Sequence, residues 1–170
     1  MSTELVATFF GLLLLGGAIG IAALAVRASG RATIREVAVP LSAAVAVGAT
    51  AGSLYFSEVA GYVPCELCWA QRIAMYPLAI ILTIAAFRRD RAILSYAGVL
   101  SILGLGISAY HIQLQLFPDQ GSFCEVANPC TGRWVEAFGW MTIPQMAGIS
   151  FAVLLAITMI TLFTTPEEIS

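Results

Sequence analysis

Residues Cys65–Phe87 read CELCWAQRIAMYPLAIILTIAAF, a stretch long and apolar enough to cross a membrane as one helix. About 20 helical residues span the ~30 Å hydrocarbon core of a bilayer. Four other stretches have a similar length and composition: Leu5–Val26, Val37–Ser57, Ala92–Ile112 and Pro144–Phe163. Because lipid offers the backbone no hydrogen-bond partner, each span is predicted to be a helix. The sequence therefore predicts an all-α integral membrane protein with five spans.

The composition is that of a membrane protein rather than a soluble domain. Of the 170 residues, 59% are hydrophobic and 11% are charged, and the mean hydropathy is +0.90. A soluble domain of this length has too little interior to bury so much apolar surface. All eight basic residues are arginines and the net charge is -2, so nucleic acid is not expected as a partner. The lack of lysine together with an excess of acidic residues hints at a salt-loving source.

The arginines indicate how the chain crosses the membrane. Six of the eight lie in two connections between spans, as Arg27, Arg31, Arg35 and Arg88, Arg89, Arg91. The positive-inside rule places both connections in the cytoplasm. The N-terminus, the loop before Cys65 and the long loop of residues 113–143 are then expected outside, and the tail of residues 164–170 inside. The first stretch is interpreted as a true span and not as a cleaved signal peptide, because residues 1–4 contain no basic residue.

Four cysteines in two close pairs carry the chemical signal. With this topology, Cys65 and Cys68 lie at the outer end of the third span, and Cys124 and Cys130 lie in the long outer loop. Disulfides persist on that side of a membrane, whereas cytosolic thiols are kept reduced. Four cysteines can also form a structural zinc site. An oxidising exterior favours disulfides over zinc, so no metal site is predicted.

The first pair has the surroundings of a redox-active disulfide. If Pro64 opens the helix, Cys65 lies in its first turn and Cys68 one turn deeper on the same face. The positive end of the helix dipole, and Arg72 four residues after Cys68, both favour a thiolate. The alternatives are a plain surface disulfide and an arginine that merely reaches the lipid headgroups. An arginine at membrane depth is nevertheless a functional candidate by default.

The second pair and the only histidine allow more than one interpretation. The Cys124/Cys130 pair could staple its loop, or could carry electrons between an outside partner and the membrane. His111, at the outer end of the fourth span, is by itself typical of an interfacial residue. The sequence contains no nucleotide fingerprint and no haem-attachment motif. A lipid-soluble quinone is therefore the expected electron acceptor, by elimination.

These motifs together resemble the DsbB/BdbC family of membrane oxidoreductases that form disulfide bonds. The residues that carry the resemblance are Pro64–Trp69, Arg72, Met75–Pro77, Tyr110, His111, the Cys124/Cys130 loop and Gly139–Gln145. The similarity extends from about Val37 to Phe163. The chain departs from the family pattern by its first span, Leu5–Val26, and by the short gap between Cys124 and Cys130, which resembles the compact loop of BdbC.

The resemblance implies an antiparallel four-helix transmembrane bundle that holds ubiquinone or menaquinone at its outer end. Residues 37–163 would form this bundle, with the outer loop 113–143, and residues 1–36 would add one N-terminal transmembrane helix and a cytoplasmic arginine loop. Cys65 and Cys68 would be the pair near the quinone. Cys68, Arg72 and His111 would contact the quinone.

The resemblance also implies an exported partner with a thioredoxin fold, of the DsbA type, which would deliver electrons to Cys124 and Cys130. The resulting hypothesis is a thiol:quinone oxidoreductase of the cell membrane that generates disulfides. One alternative is an enzyme like vitamin K epoxide reductase, which also sets a Cys-x-x-Cys helix end beside a quinone. The other is a membrane scaffold with two inert disulfides, whose redox potentials would lie below about -300 mV.

Overall fold

The structure is a computed structural model that describes residues 3–120 and 123–164. The cytoplasmic tail predicted for residues 164–170 lies outside the described residues except for Thr164, so its position stays a prediction.

Five long helices make up most of the chain. They are α1 Thr3–Ala25, α2 Ala28–Leu54, α3 Glu66–Arg88, α4 Ile93–Leu116 and α5 Ile143–Phe163. Each of the five is long and apolar enough to cross a membrane. Large apolar side chains cover the outside of the bundle, as at Phe87, which is 87% exposed, and Ile73, which is 71% exposed. An exposed apolar surface of this extent suits lipid, and the prediction of an all-α multi-pass membrane protein is confirmed.

The second helix differs most from its predicted bounds. It begins at Ala28 rather than at Val37, and it continues beyond Leu54 as a π-helical turn over Tyr55–Val59. Most of the predicted arginine loop is therefore helical. Hydropathy marks where lipid contact begins and not where a helix begins, and arginine is itself a good helix former. Arg31 donates a hydrogen bond to the carbonyl of Ala25 at 3.2 Å, which satisfies a backbone group at the end of α1.

The helices α2, α3, α4 and α5 form a closed ring. Both α2 and α4 pack against α3 and α5. Gly98 contacts Thr158 and Gly148 contacts Ser108, so α4 and α5 run antiparallel. The first helix, α1, lies outside the ring against α2 and α5. The predicted four-helix bundle with one extra N-terminal helix is confirmed.

Residues 117–142 form the long connection between α4 and α5, which is called the outer loop here after its predicted position. The segment opens with a 3₁₀ turn at Pro118–Gln120 and closes with a tight turn in which Ala137 and Met141 form a β-bridge. Val135, Ala137 and Met141 are buried in a cluster with Ala7 of α1. This outer loop therefore folds back onto the bundle, and α1 helps to hold it there.

The chain order of the antiparallel helices puts the cysteines and most of the arginines at opposite ends. Arg88 ends α3 and Arg31 lies in the first turn of α2, and in this antiparallel pair these two helix ends lie at the same end of the bundle. Cys65 begins α3 at the other end, on the side of the outer loop. The bundle thus has a cysteine end and an arginine end.

Candidate functional site at the cysteine end of the bundle

Cys65 occupies the residue that precedes the first turn of α3. Its backbone is extended, with φ -74° and ψ 174°, and its sulfur accepts a hydrogen bond from the backbone N–H of Cys68 at 3.4 Å. The helix begins one residue later than the sequence suggested, because a side chain that accepts such a bond stabilises the start of a helix from just outside it. The sulfur of Cys65 therefore lies at the positive end of the helix dipole.

Cys65 and Cys68 are thiols whose sulfurs lie 2.9 Å apart. A disulfide needs about 2.05 Å, so the two sulfurs can bond after a small movement. Cys65 is 4% exposed, whereas Cys68 is half-buried. Hydrogen bonding from the Cys68 thiol lowers the pKa of Cys65 to about 4, with a smaller contribution from His111 and against the opposing effect of burial. The lowered pKa favours the thiolate of Cys65, which is the reactive form.

The second pair is a disulfide in the outer loop. Cys124 and Cys130 are bonded, with their Cα atoms 5.9 Å apart. Cys130 is 1% exposed, and its sulfur, the sulfur of Cys65 and a ring nitrogen of His111 lie within 4.8 Å of one another. Cys124 is the more exposed partner of the loop disulfide. The structure therefore brings the two predicted cysteine pairs together through Cys65 and Cys130.

His111, which is 2% exposed, lies between the two pairs. Its Nε2 atom is 3.0 Å from the carbonyl oxygen of Cys130 and 3.7 Å from the sulfur of Cys65. A carbonyl can only accept, so Nε2 carries the proton and donates it. The Nδ1 atom is buried and has no hydrogen-bond partner among the described residues. His111 thus ties the loop cysteine to the helix-end cysteine.

A cavity of about 330 Å³ opens beside Cys65 and Cys68, the helix-end pair at the start of α3. Residues of α1, α2, α3 and α5 and Trp134 of the outer loop line it, and most of them are apolar. Its polar lining consists mainly of side chains from α3 and from the end of α2 with the π-helical turn that follows it, namely Cys68, Gln71, Arg72, Tyr76, Ser53 and Ser57. Cavities of this size and character are typical of sites for small apolar molecules that carry a few polar atoms.

Arg72 is fixed on the wall of this cavity. Its Nε atom donates to Ser53 Oγ at 3.0 Å, and its Nη2 atom donates to the carbonyl oxygen of Ser53 at 3.1 Å. The guanidinium also lies over the rings of Trp69, at 5.2 Å, and Tyr76, at 5.9 Å. Two hydrogen bonds and two aromatic faces hold this cation in place, and no carboxylate among residues 3–120 and 123–164 pairs with it. Its charge is therefore available to a bound molecule in the cavity.

The cavity does not include His111 among its lining residues. His111 instead lines a small recess with Cys65, Cys68 and Trp134. The structure thus places it between the cysteine pairs, and its predicted contact with a quinone stays a prediction. Cys68 and Arg72, in contrast, both line the large cavity, as expected from their spacing.

Metal binding was an alternative for the cysteines. Cys65, His111 and Cys130 lie close enough together to share an ion. The sulfur of Cys130 is bonded to Cys124, however, so this cluster offers one thiol and one imidazole. A structural zinc site needs four ligands with deprotonated thiols. In this redox state the cluster is suited to sulfur exchange and not to zinc.

Three polar residues of the site were missed by sequence reasoning. Ser53 orients Arg72, and Gln71 donates a hydrogen bond from its side chain to Ser108 Oγ at 3.0 Å, beside the cavity. Glu66 accepts a hydrogen bond from the backbone N–H of Glu125 at 3.0 Å. Serine is common in apolar helices, so Ser53 carried no signal. The position of Glu66 between Cys65 and Cys68 in the sequence could have indicated a role for its carboxylate.

Comparison with known proteins finds the family that the sequence motifs resemble, and the match covers most of the bundle. The model of the family described as disulfide bond formation protein DsbB matches residues 35–161. A protein of Oceanobacillus iheyensis, named probable disulfide formation protein, is 42% identical over 117 residues, which is 67% of this chain and 81% of the relative. Disulfide bond formation protein C of Bacillus subtilis is 43% identical over 113 residues, 65% of this chain and 82% of the relative. No solved structure gives a significant match.

The matched region decides the family. It begins after α1, takes in the four-helix ring and the outer loop, and contains all four cysteines. It also covers well over half of the chain. This chain therefore belongs to the DsbB family of disulfide bond formation proteins, and it is a membrane oxidoreductase that acts in disulfide formation.

Proposed function

We propose that this protein is a thiol:quinone oxidoreductase that oxidises an exported DsbA-like partner with a thioredoxin fold and reduces ubiquinone or menaquinone. The observation that carries the proposal is the row of sulfur atoms at the cysteine end. Cys130 of the loop disulfide lies within 4.8 Å of Cys65. Cys65 lies 2.9 Å from Cys68, and Cys68 lines the cavity. Electrons have a path from the loop to the cavity.

The cavity suits a quinone by size and chemistry. Its volume of about 330 Å³ is in the range of small-molecule sites. Its apolar lining suits a ring with a hydrocarbon tail, while Arg72 and Gln71 supply hydrogen-bond donors for carbonyl oxygens. A bound quinone would supply the two-electron oxidation of the Cys65/Cys68 pair. The proposed role of Arg72 is to stabilise negative charge at the bound oxygen and on Cys68.

The proposed path begins at the outer loop. A thiolate of the partner attacks the Cys124–Cys130 disulfide, and a mixed disulfide with the partner forms. The second partner thiol then resolves this bond, so that the partner leaves oxidised and the loop holds two thiols. Thiol–disulfide exchange needs contact between sulfurs, and Cys124 is the more exposed cysteine of the loop disulfide. The first attack is therefore assigned to Cys124.

The path continues to the helix end. The thiolate of Cys130 attacks Cys65 in the Cys65–Cys68 disulfide, and Cys68 is released as a thiolate beside Arg72. Cys124 then attacks Cys130, which closes the loop disulfide and releases Cys65. Two electrons have moved inward, and two protons accompany them to the acceptor. A closed loop disulfide beside two helix-end thiols, as in this structure, corresponds to the state after this transfer.

The proposed orientation follows from the two ends of the bundle. The arginine end, with Arg31 and Arg88, would face the cytoplasm under the positive-inside rule. The N-terminus and the cysteine end would then face the outside of the cell membrane, and the C-terminus the cytoplasm. This orientation gives an exported partner access to Cys124.

The test is quinone reduction by the purified protein. Reduced thioredoxin-fold partner and a short-chain quinone are added to protein in lipid nanodiscs, and loss of the quinone absorbance is followed. Stoichiometric partner oxidation with quinone reduction is expected, and Cys68→Ala should abolish both in steady state. A matched Thr33→Ala variant, which changes an exposed residue of α2 outside the cavity lining, should retain turnover. An inert scaffold with two structural disulfides would oxidise no partner at all.

A further inference from the structure

Glu66 begins α3 directly between Cys65 and Cys68. One carboxylate oxygen, Oε1, accepts a hydrogen bond from the backbone N–H of Glu125 at 3.0 Å. The other oxygen, Oε2, lies 3.8 Å from the sulfur of Cys130. A carboxylate oxygen of Glu66 and the sulfurs of Cys124 and Cys130 lie within 4.8 Å of one another. Glu66, which lies next to Cys65 at the start of α3, therefore contacts the ring of residues 124–130 that the Cys124–Cys130 disulfide closes.

The two cysteines of the ring of residues 124–130 pack in an apolar cluster with Cys65, Leu67 and Leu114. The middle of the ring buries little, since Val126 is 97% exposed. The hydrogen bond from His111 holds the ring at the carbonyl of Cys130. The hydrogen bond to Glu66 holds it at the other end, beside Cys124. Two hydrogen bonds to rigid helices thus fix both ends of the ring.

We propose that Glu66 is a positioning residue that docks the loop disulfide onto Cys65. The inference rests on the proposed transfer of electrons between the two cysteine pairs. A hydrogen bond from a backbone N–H to a carboxylate is among the stronger kinds. Loss of this bond frees one end of the ring, and the sulfurs of Cys130 and Cys65 then meet less often. The acceptor oxygen of Glu66 makes the bond, and its negative charge strengthens it.

An equilibrium experiment isolates the docking step. In a Cys68→Ala, Cys124→Ala background only Cys65 and Cys130 remain, and they form one disulfide in a glutathione redox buffer. Each bond formed consumes one oxidised glutathione and yields two reduced glutathiones. The equilibrium constant therefore gives the effective concentration of one thiol at the other. We expect Glu66→Ala to lower this concentration about tenfold, the effect of one charge-assisted hydrogen bond.

Two variants separate docking from other effects. Glu66→Gln keeps an acceptor oxygen for the Glu125 N–H but loses the charge, so its loss should be about threefold, smaller than that of Glu66→Ala. Glu58→Ala removes an exposed carboxylate that bonds only to its neighbour Ser57 among the described contacts, and it should have no effect. In the full enzyme, Glu66→Ala should slow partner-driven turnover about tenfold and leave the KM for quinone unchanged.

Three results would overturn the proposal. They are an unchanged effective concentration in Glu66→Ala, an equal loss in Glu66→Gln, and a raised KM for quinone in Glu66→Ala. The glutathione equilibrium contains neither partner nor quinone. It therefore reports on docking even if the parent enzyme fails to reduce quinone, so failure of this inference and failure of the proposed function are distinguishable.

Discussion

The sulfur of Cys130 lies within 4.8 Å of the sulfur of Cys65, although one belongs to the outer loop and the other to the start of a transmembrane helix. Exchange between disulfides requires an attacking sulfur to reach a bonded one. This pair is already close, and the hydrogen bonds of His111 and Glu66 hold it there. This proximity supports the proposed exchange of electrons between the loop disulfide and the buried thiol of Cys65.

Arg72 is predicted to serve the quinone step and not the partner. Arg72→Ala removes the fixed cation of the cavity wall, so the KM for quinone should rise about tenfold, as for one lost charge-assisted hydrogen bond. The KM for the partner should stay unchanged. Steady-state kinetics with each substrate varied in turn measures both values. Arg133→Ala is the matched control, because Arg133 pairs with Glu136 on the loop surface; a raised KM for the partner in Arg72→Ala would contradict the assignment.

His111 is predicted to help keep Cys65 ionised. The hydrogen bond from Cys68 is the main cause of the lowered pKa of Cys65, and His111 contributes. His111→Ala should therefore raise the pKa of Cys65, although not to the usual value of about 8.5. The rate of alkylation of Cys65 against pH, with the site mapped by mass spectrometry, measures the shift. His111→Gln keeps a donor and should raise the pKa less.

The same pKa has a consequence for stability. The pKa of Cys65 is lower in the folded protein than in an unfolded chain, so the thiolate stabilises the fold fully above about pH 8.5. That contribution is lost as the pH falls through about 4. The reduced parent should therefore lose more stability than His111→Ala between pH 8 and pH 4. An equal loss in the two proteins would contradict a role of His111 in holding the thiolate.

The first helix is predicted to shape the quinone site. Leu14 of α1 lines the cavity, and a larger side chain there should fill part of it. Leu14→Trp should raise the KM for quinone several-fold and leave partner binding unchanged. Leu12→Trp is the control, because Leu12 is 59% exposed and does not line the cavity. Equal kinetics in the two variants would show that α1 is only an additional anchor.

The fold was predictable because lipid imposes simple rules on the chain. Runs such as Cys65–Phe87 have the length and hydropathy of a span, and a span in lipid has to be a helix. The first and last residues of a helix were less predictable where the helix extends beyond the hydrocarbon core of the membrane. Helix α2 extends back to Ala28, through arginines that hydropathy alone assigns to a loop. The packing of α1 against α2 and α5 had no signal in a single sequence.

The site was predictable in its chemistry and less so in its contacts. The cysteine pairs and Arg72 were recognisable as candidates from their residue types and positions in the sequence. The structure shows that Cys68 and Arg72 line one cavity. The role of Ser53 depends on how α2 packs on α3, which residue type does not reveal. The position of His111 depends on the path of the outer loop. Long-range contacts of this kind need the folded chain.

The orientation is predicted to put the arginine end in the cytoplasm. The chain contains no lysine, so a single introduced lysine is a distinctive site for an amine reagent that cannot cross membranes. Arg91→Lys should be labelled only after permeabilisation of the cells, and Arg133→Lys should be labelled in intact cells. Both substitutions keep the charge, and mass spectrometry locates the label. The opposite pattern would reverse the topology and place the cysteines in the cytoplasm.

The order of electron flow is the last prediction. Cys124 is more exposed than Cys130, and Cys130 is the loop cysteine whose sulfur lies beside Cys65. The partner should therefore react at Cys124, and Cys130 should then pass the electrons to Cys65. Cys130→Ala should remove the loop disulfide and block onward transfer. Cys65→Ala and Cys68→Ala should each leave the loop disulfide intact and abolish quinone reduction.

A single-turnover experiment distinguishes this order from a direct reaction at the helix end. The Cys68→Ala protein receives one equivalent of reduced partner without quinone, and its disulfides are mapped by mass spectrometry. A Cys124–partner adduct with Cys130 released as a thiol is expected, or a Cys65–Cys130 bond if the Cys65 thiolate attacks the loop disulfide and releases Cys124. Recovery of the partner fully reduced, with the Cys124–Cys130 bond untouched, would mean that the loop disulfide is a staple. Because Cys65 is 4% exposed, a partner sulfur could reach it only after the loop had moved away.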